Sequence, residues 1–361
     1  MTPRTVVLSY ALGTGHRQVA GILSQELSHL GHACEHRPLE QWVPLDYDLL
    51  FRHGYLLLAL RAPSVWDGMY NSGAFKKRKR LALPIMDRRV VRRFGQRIPE
   101  GVDLIVATQY NAMEVAADWK QKTGSTIKLA AIITDYDVYP LWARNEVDLF
   151  ILPHEDLKPM LLEKGIPEER LTATGIPVAP TFERSHDPSS ARAALGLEDA
   201  SPIVLLLGGG VGAGPLGKAA LSALEVERCK VVVVCGLNKK LRRSLVPLAH
   251  ANPSRLRVLG YRNDIPSLMA ASSLIVTKGG GLSLSEALYM GRRVIVIPSL
   301  PGQERANIEY MDSHQWAGIC GNVEDLPGMI SRSLASPLPI VALPPNPARN
   351  AAERLDALVR E

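Results

Sequence analysis

Val276-Thr277-Lys278-Gly279-Gly280-Gly281-Leu282-Ser283-Leu284-Ser285-Glu286-Ala287-Leu288-Tyr289-Met290-Gly291 is the stretch that decides the fold of this 361-residue chain. An apolar strand end runs into three glycines and then into a helical segment with one carboxylate near its start and a glycine at its end. Glycines let a ligand approach the backbone, and a helix start offers unpaired N–H groups and about half a positive charge. The stretch reads as a strand–turn–helix unit able to hold a phosphorylated ligand, with Glu286 placed for a diol. A plain strand-to-helix connection would use glycine in the same way.

Working outward, short apolar runs at residues 5–9, 104–107, 129–134, 149–152, 203–207, 231–234, 257–259, 274–276 and 294–297 alternate with amphipathic helical stretches. This pattern predicts an α/β chain with parallel sheets covered on both faces. After the first run, Val19, Ile22, Leu23, Leu27 and Leu30 share one helix face and Gly31 stops it. The length suits two doubly wound, Rossmann-like domains. An N-terminal domain is expected over 1–178, a Pro-, Ser- and charge-rich linker over 179–200 and a C-terminal domain over 201–345. A final helix over 346–361 is expected to pack back across them. Ligands of such sheets bind beyond the strands' carboxyl ends, so the expected site is the interdomain cleft.

Hydrophobic residues make up 46% and charged residues 22%, which excludes a disordered chain. Cys34, Cys229, Cys235 and Cys320 form no CxxC pair, so reduced thiols, a cytoplasmic setting and no metal are expected. The N-terminus runs straight into the first strand without a signal-peptide pattern, and no apolar run approaches the roughly 18 residues of a membrane span. Any membrane contact is therefore expected to be peripheral. Net charge is +6, yet residues 76–97 hold ten basic residues against one acid, Asp87, so the basic character reads as one patch. Within and beside it stand Trp66, Tyr70, Lys76, Lys77, Arg78, Lys79 and Arg80. Arg88, Arg89, Arg92 and Arg93 then lie on one side of a helical stretch and Met86, Val90, Val91 and Phe94 on another. That is a cationic amphipathic helix suited to anionic lipid, each basic residue near the surface contributing about 1 kcal/mol. A core helix beside a solvated basic loop is the alternative. No DNA- or RNA-binding module accompanies the patch, so nucleic acid is not an expected partner.

Further loops carry chemistry. Leu207-Gly208-Gly209-Gly210-Val211-Gly212-Ala213-Gly214-Pro215 follows a strand and precedes a helix, as a phosphate cradle or a dinucleotide fingerprint would, but no acid ends the next strand, where Cys235-Gly236-Leu237-Asn238 stands. Gly260-Tyr261-Arg262-Asn263-Asp264-Ile265 and Pro301-Gly302-Gln303-Glu304 follow other strands. Near the N-terminus, Ser9-Tyr10-Ala11-Leu12-Gly13-Thr14-Gly15-His16 places His16 at a helix start, as a cap, as a surface residue or as a base whose pKa the helix dipole lowers. Asp135 ends the strand at 129–134, as a base, as an orienting partner of His16 or as a turn cap.

The run 277–291, with 208–215 and 301–304, resembles the donor domain of glycosyltransferase family 28, within the two-domain GT-B fold. The order of Ser9 to His16, Ile133-Thr134-Asp135-Tyr136 with Trp142, and Gly175-Ile176-Pro177-Val178 is most similar to monogalactosyldiacylglycerol synthases and bacterial diacylglycerol glucosyltransferases. The resemblance covers nearly the whole chain. It implies that Glu286 binds the uridine ribose hydroxyls, and that Gly279, Gly280, Gly281, Leu282 and Ser283, with Gly208, Gly209, Gly210 and Val211, face the diphosphate. Gly236, Asn238, Tyr261 and the backbone of Arg262 would complete nucleotide binding, and Gln303 and Glu304 would touch the sugar. Gly15, Tyr139 and Trp142 are expected on the acceptor side, with His16 and Asp135 as catalytic residues. The sequence departs from relatives at Gly279, often proline in them, and at Tyr139, often histidine.

The resemblance further implies an inverting, metal-independent enzyme that moves a hexose from a UDP-sugar, its co-substrate, to a membrane lipid such as diacylglycerol, at the inner face of the cell membrane. Alternatives are a polyprenyl-linked sugar or a natural-product aglycone as acceptor, a nucleotide-sugar epimerase on a similar fold, and a non-enzymatic nucleotide or polyanion binder.

Overall fold

The computed structural model describes residues 2–10, 13–49, 88–183, 186–298 and 303–360. The expected membrane residues Trp66, Tyr70, Lys76, Lys77, Arg78, Lys79 and Arg80 lie outside the described residues, as does the side chain of Gln303. The chain divides into two compact units, Met1–Ala179 with Leu343–Glu361, and Pro180–Ala342.

In the first unit β1 (Arg4–Ser9), β2 (Ala33–Pro38), β3 (Leu104–Ala107), β4 (Lys128–Ile132), β5 (Leu149–Leu152) and β6 (Leu171–Ala173) form one parallel sheet, ordered β2-β1-β3-β4-β5-β6. In the second, β7 (Ile203–Leu207), β8 (Lys230–Val234), β9 (Leu256–Leu259), β10 (Leu274–Thr277), β11 (Arg293–Val296) and β12 (Gly318–Ile319) form another, ordered β12-β11-β10-β7-β8-β9. Each unit is thus doubly wound, and the chain reverses its direction of travel between β1 and β3 and between β7 and β10. The central strands are buried along nearly their whole length because helices cover both faces. Three strands, β2, β6 and β12, gave no apolar run in the sequence. All are edge strands, half-exposed or very short, and so need no continuous hydrophobic stretch.

The stretch 179–200, expected as a linker, carries the helix Pro188–Ala194, capped by Asp187 through the N–H groups of Ser189 (3.0 Å) and Ser190 (3.1 Å). It packs on the helix Ile265–Ala271 within the second unit. The C-terminal helix Pro347–Arg360 lies against the helix Gly15–His29, β4 and β5 of the first unit, burying Ala348, Ala351, Ala352 and Leu355. Its Asp356 takes a 2.9 Å contact from the buried His32 ring, whose other nitrogen meets Thr5 Oγ1 at 2.8 Å.

The helix Arg88–Gly95 corrects one expectation. Its apolar side, Val90, Val91 and Phe94, is buried, with Phe94 between Trp42 and Trp119 at ring distances of 5.5 and 5.9 Å. Those groups belong to the core and are not free to enter a bilayer, whereas Arg88, Arg89, Arg92 and Arg93 are exposed. Among the described residues no helix is long and apolar enough to cross a membrane.

Leu355 has no exposed surface, so Leu355→Ala removes a fully buried side chain from the contact that binds the C-terminal helix to the first unit. A loss of about 2–5 kcal/mol is expected in urea unfolding monitored by circular dichroism.

Candidate functional site

Both reversals of chain direction fall where the chemistry-bearing loops are. In the first unit, the loop after β1 leads into the helix Gly15–His29, and the loop after β3 begins at Thr108. Thr108 joins them: its hydroxyl donates to the carbonyls of His16 (2.9 Å) and Leu8 (3.2 Å), and its own carbonyl meets His16 Nδ1 at 2.9 Å. A carbonyl can only accept, so the Nδ1 of neutral His16 carries the proton and Nε2 keeps its lone pair. Thr134 Oγ1, at the end of β4, also stands 2.9 Å from Nδ1. Among the described residues Nε2 has no hydrogen-bond partner.

Burial pushes the His16 pKa below its usual value, and the nearby Asp135 carboxylate and the Thr108 carbonyl pull part of the way back. Desolvation is the largest cause that keeps the ring neutral. The structure brings Gly15, His16 and Asp135 together. Tyr139 and Trp142 are nearly buried, and Trp142 meets Tyr110 edge-on at 5.8 Å, so they brace the loop after Asp135. Burial and Asp137 push the Tyr139 hydroxyl up to about 12. The same loop is anchored by buried Arg144, bonded to Glu114 (2.6 Å), Asp118 (2.9 Å) and Glu146 (3.0 Å).

In the second unit, Thr277 at the end of β10 donates to the Leu207 carbonyl at 3.1 Å, drawing the two glycine loops side by side. The helix Gly281–Tyr289 starts at Gly280, whose conformation is extended, with no side-chain cap; its first intrahelical bond runs from Leu284 N–H to the Gly280 carbonyl at 3.1 Å. The amides of Gly281, Leu282 and Ser283 precede that bond and form the positive helix end. Gly279 is required by packing: a Cβ there would stand 2.6 Å from the Glu304 carbonyl and 2.8 Å from Ile308. The Gly279 carbonyl is held at 2.8 Å by the amide of fully buried Asn307.

Glu286 lies one and a half turns into this helix, 7% exposed, its carboxyl with no hydrogen bond or ion pair among the described residues. Burial alone pushes its carboxyl from an ordinary 4.5 to about 8, so it holds its proton at neutral pH. A buried carboxyl without a partner is an uncommon and costly placement, and two hydroxyl donors would favour its charged form.

The loop 208–215 folds on itself through Ala213 N–H to the Gly208 carbonyl (2.9 Å) and Gly212 N–H to the Gly209 carbonyl (3.0 Å). It interlocks with the loop after β8. A Cβ on Gly212 would fall 2.0 Å from the Cys235 carbonyl, and one on Gly236 would fall 2.4 Å from the Gly210 carbonyl. Asn238, expected on the nucleotide, caps the helix Lys239–Ala251 by accepting from Leu241 N–H (2.9 Å) and donates to the Gly212 carbonyl (3.1 Å). Its side chain and Gly236 thus shape the loops. Gly209, Gly210 and Val211 stand at the rim, Val211 half exposed. Tyr261 is exposed on the loop after edge strand β9, and Arg262 is tied to Asp264, Nε to Oδ1 at 2.7 Å, which leaves the backbone and the tyrosine ring open.

Two residues of this site were not picked out from the sequence. Lys278 pairs with Glu304, and its side chain lies beside both Gly209 and Gly280. It stood inside the deciding motif, directly before the glycines, which was signal enough. Asn307 gave no signal, because its role depends on how closely the helix Gln303–Ser313 approaches Gly279. Glu304, expected on a sugar, is bound to Lys278, with its other oxygen buried and unbonded among the described residues.

Residues 16–178 match the family model of monogalactosyldiacylglycerol (MGDG) synthase, and residues 203–326 match that of the glycosyltransferase family 28 C-terminal domain. A processive diacylglycerol beta-glucosyltransferase of Bacillus thuringiensis (strain Al Hakam) is 29% identical over 326 residues, covering 86% of this chain and 80% of the relative. Among solved structures, Acinetobacter baumannii MurG aligns with a TM-score of 0.62 at 15% identity, over 98% of this chain and 100% of that one. Anabaena Alr3699/HepE, in complex with UDP and glucose, aligns at 0.51 and 15%, over 99% and 97%. At such identity these two structures bear on the fold alone, and the fold is GT-B.

The raised Glu286 pKa makes stability depend on pH. The unfolded chain releases this proton near 4.5 and the folded chain near 8, so between these values the native state binds more protons and stability falls as pH rises. Relative to Glu286→Gln, the wild-type protein should lose on the order of 4 kcal/mol between pH 5 and pH 8.5, levelling off above that, in urea unfolding. A difference independent of pH would contradict the buried, unpaired carboxyl.

Proposed function

We propose, for a chain that belongs to glycosyltransferase family 28, the transfer of a hexose from a UDP-sugar to the hydroxyl of a membrane lipid, diacylglycerol or a glycosylated diacylglycerol. The observation that carries this reading is the unpaired Glu286 carboxyl on a helix whose uncapped start lies at the point where the second sheet reverses direction. A ribose supplies two hydroxyl donors to a carboxylate, and the amides of Gly281, Leu282 and Ser283 suit a diphosphate. Lys278 adds a cation beside both glycine loops. The lipid acceptor is supported by the match of residues 16–178 and by the relatives' names.

The acceptor oxygen attacks the anomeric carbon as the bond from that carbon to the UDP oxygen breaks. Its proton passes to Nε2 of His16, whose neutral ring and Nδ1–H bond to Thr108 leave that lone pair available. Asp135 then stabilises the imidazolium. Negative charge growing on UDP meets the helix start and Lys278. A single displacement inverts the anomeric centre, and these groups supply acid–base and charge stabilisation without a metal. The enzyme works from the inner face of the cell membrane as a peripheral protein, held by the basic residues of 76–97.

Incubation with labelled UDP-glucose or UDP-galactose and vesicles containing diacylglycerol should yield a labelled glycolipid. Glu286→Ala should weaken UDP binding tenfold or more, whereas His16→Ala should leave binding intact and slow transfer by about 10²–10⁴. UDP binding with no transfer to any lipid would sink the proposal. Excess EDTA should leave the rate unchanged, and the product's anomeric configuration, read by NMR coupling, should be opposite to the donor's.

A further inference from the structure

We propose that the outward face of the helix Lys239–Ala251 is a second membrane contact, one that takes the headgroups of anionic lipid. It rests on the reading that the acceptor lies in a membrane. From Arg228 to Asn263 the sequence holds nine basic residues and no acid, so the chain's positive charge is not confined to 76–97. Four of the nine are committed within the fold. Lys230 pairs with Asp199 and Arg262 with Asp264, while Arg255 and Arg257 donate to backbone carbonyls such as those of Leu224 and Leu195.

Lys239, Lys240, Arg242 and Arg243 are different. All four are exposed, and none has a side-chain hydrogen bond or ion pair among the described residues. They crowd the first turns of the helix, which has no acid in its first turn. The positive end of the helix dipole disfavours cations there, and four like charges repel one another, so the placement weakens the fold unless an outside anion offsets it.

The helix is set so that this face points away from the second unit's core. Leu245 is buried in the second unit's core, with Leu241 and Leu248 packed against it. Helical periodicity then puts Lys239, Arg243 and Val246 on the opposite side, flanked by Lys240 and Arg242. Val246 is 39% exposed, and Leu237, just before the helix, is 61% exposed. Cations set beside bare aliphatic groups match the boundary between headgroups and acyl chains. A single-stranded nucleic acid would instead call for stacking aromatics among the cations, and this helix has none. The helix begins beyond the carboxyl end of β8, on the same sheet edge as the glycine loops.

The test uses the full chain and the triple variant Lys239→Gln, Lys240→Gln, Arg243→Gln, with its thermal unfolding checked to be no lower than that of the wild type. Sedimentation with phosphatidylcholine vesicles containing phosphatidylglycerol should show the variant's partition coefficient falling by about ten- to a hundredfold, a difference that high salt abolishes. UDP affinity and transfer to diacylglycerol in neutral detergent should match the wild type. Unchanged vesicle binding overturns the inference. So does a parallel loss of UDP affinity, which would assign the face to the nucleotide, or a loss of oligonucleotide binding with vesicle binding intact. Failure of the wild type to glycosylate diacylglycerol even in detergent would count against the lipid acceptor, whereas the vesicle comparison reads the face independently of that outcome.

Discussion

Parallel strands cannot be joined by tight turns, and every other feature of this protein follows from that constraint. Each connection must cross the sheet through a helix, so each strand's carboxyl end opens into a loop that feeds a helix start. Where the chain reverses its direction of travel, two such loops leave neighbouring strands toward opposite faces, and a gap remains between them. In the second sheet the gap lies between β7 and β10 and is lined by the two glycine loops. In the first it lies between β1 and β3, where Thr108 ties the His16 helix to the sheet.

The two titratable groups at these gaps are governed by the same force. Removal from water favours the neutral form of both, leaving His16 with a proton on Nδ1 alone and Glu286 with its carboxyl proton. For the histidine this creates a lone pair on Nε2, oriented by the bond from Nδ1 to Thr108. For the glutamate it creates an acid that ionises readily only when hydroxyl donors arrive. Burial thus prepares one group to take a proton and the other to lose one.

Much of this was legible in the sequence. Central strands announce themselves because burial on both faces demands continuous apolar runs, and the motif from Val276 to Gly291 is a local unit whose turn and helix are set by its own residues. Edge strands such as β2 were not legible, because a half-exposed strand can contain Glu35, His36 and Arg37. Nor was the contact that Gly236 and Asn238 make, which depends on two loops distant in sequence meeting at Gly210 and Gly212. Helix Arg88–Gly95 shows the same limit from the other side. Periodicity separated its arginines from Val90, Val91 and Phe94, but what covers an apolar face is a tertiary fact, and here Trp42 and Trp119 cover it.

Charge balance beside the glycine loops of the second unit accounts for the pairing of Lys278 with Glu304. The start of the helix Gly281–Tyr289 and the Lys278 ammonium are both positive and lie side by side, an unfavourable arrangement in a partly dehydrated place. Glu304 relieves it by pairing with Lys278. The pair remains open to competition, because one Glu304 oxygen is bonded and the other is buried without a partner among the described residues. A diphosphate offers Lys278 more negative charge than one carboxylate does, and the helix start as well. On the proposed reading, an anion entering here would meet both Lys278 and the helix start, and would release Glu304 toward the group that the anion carries.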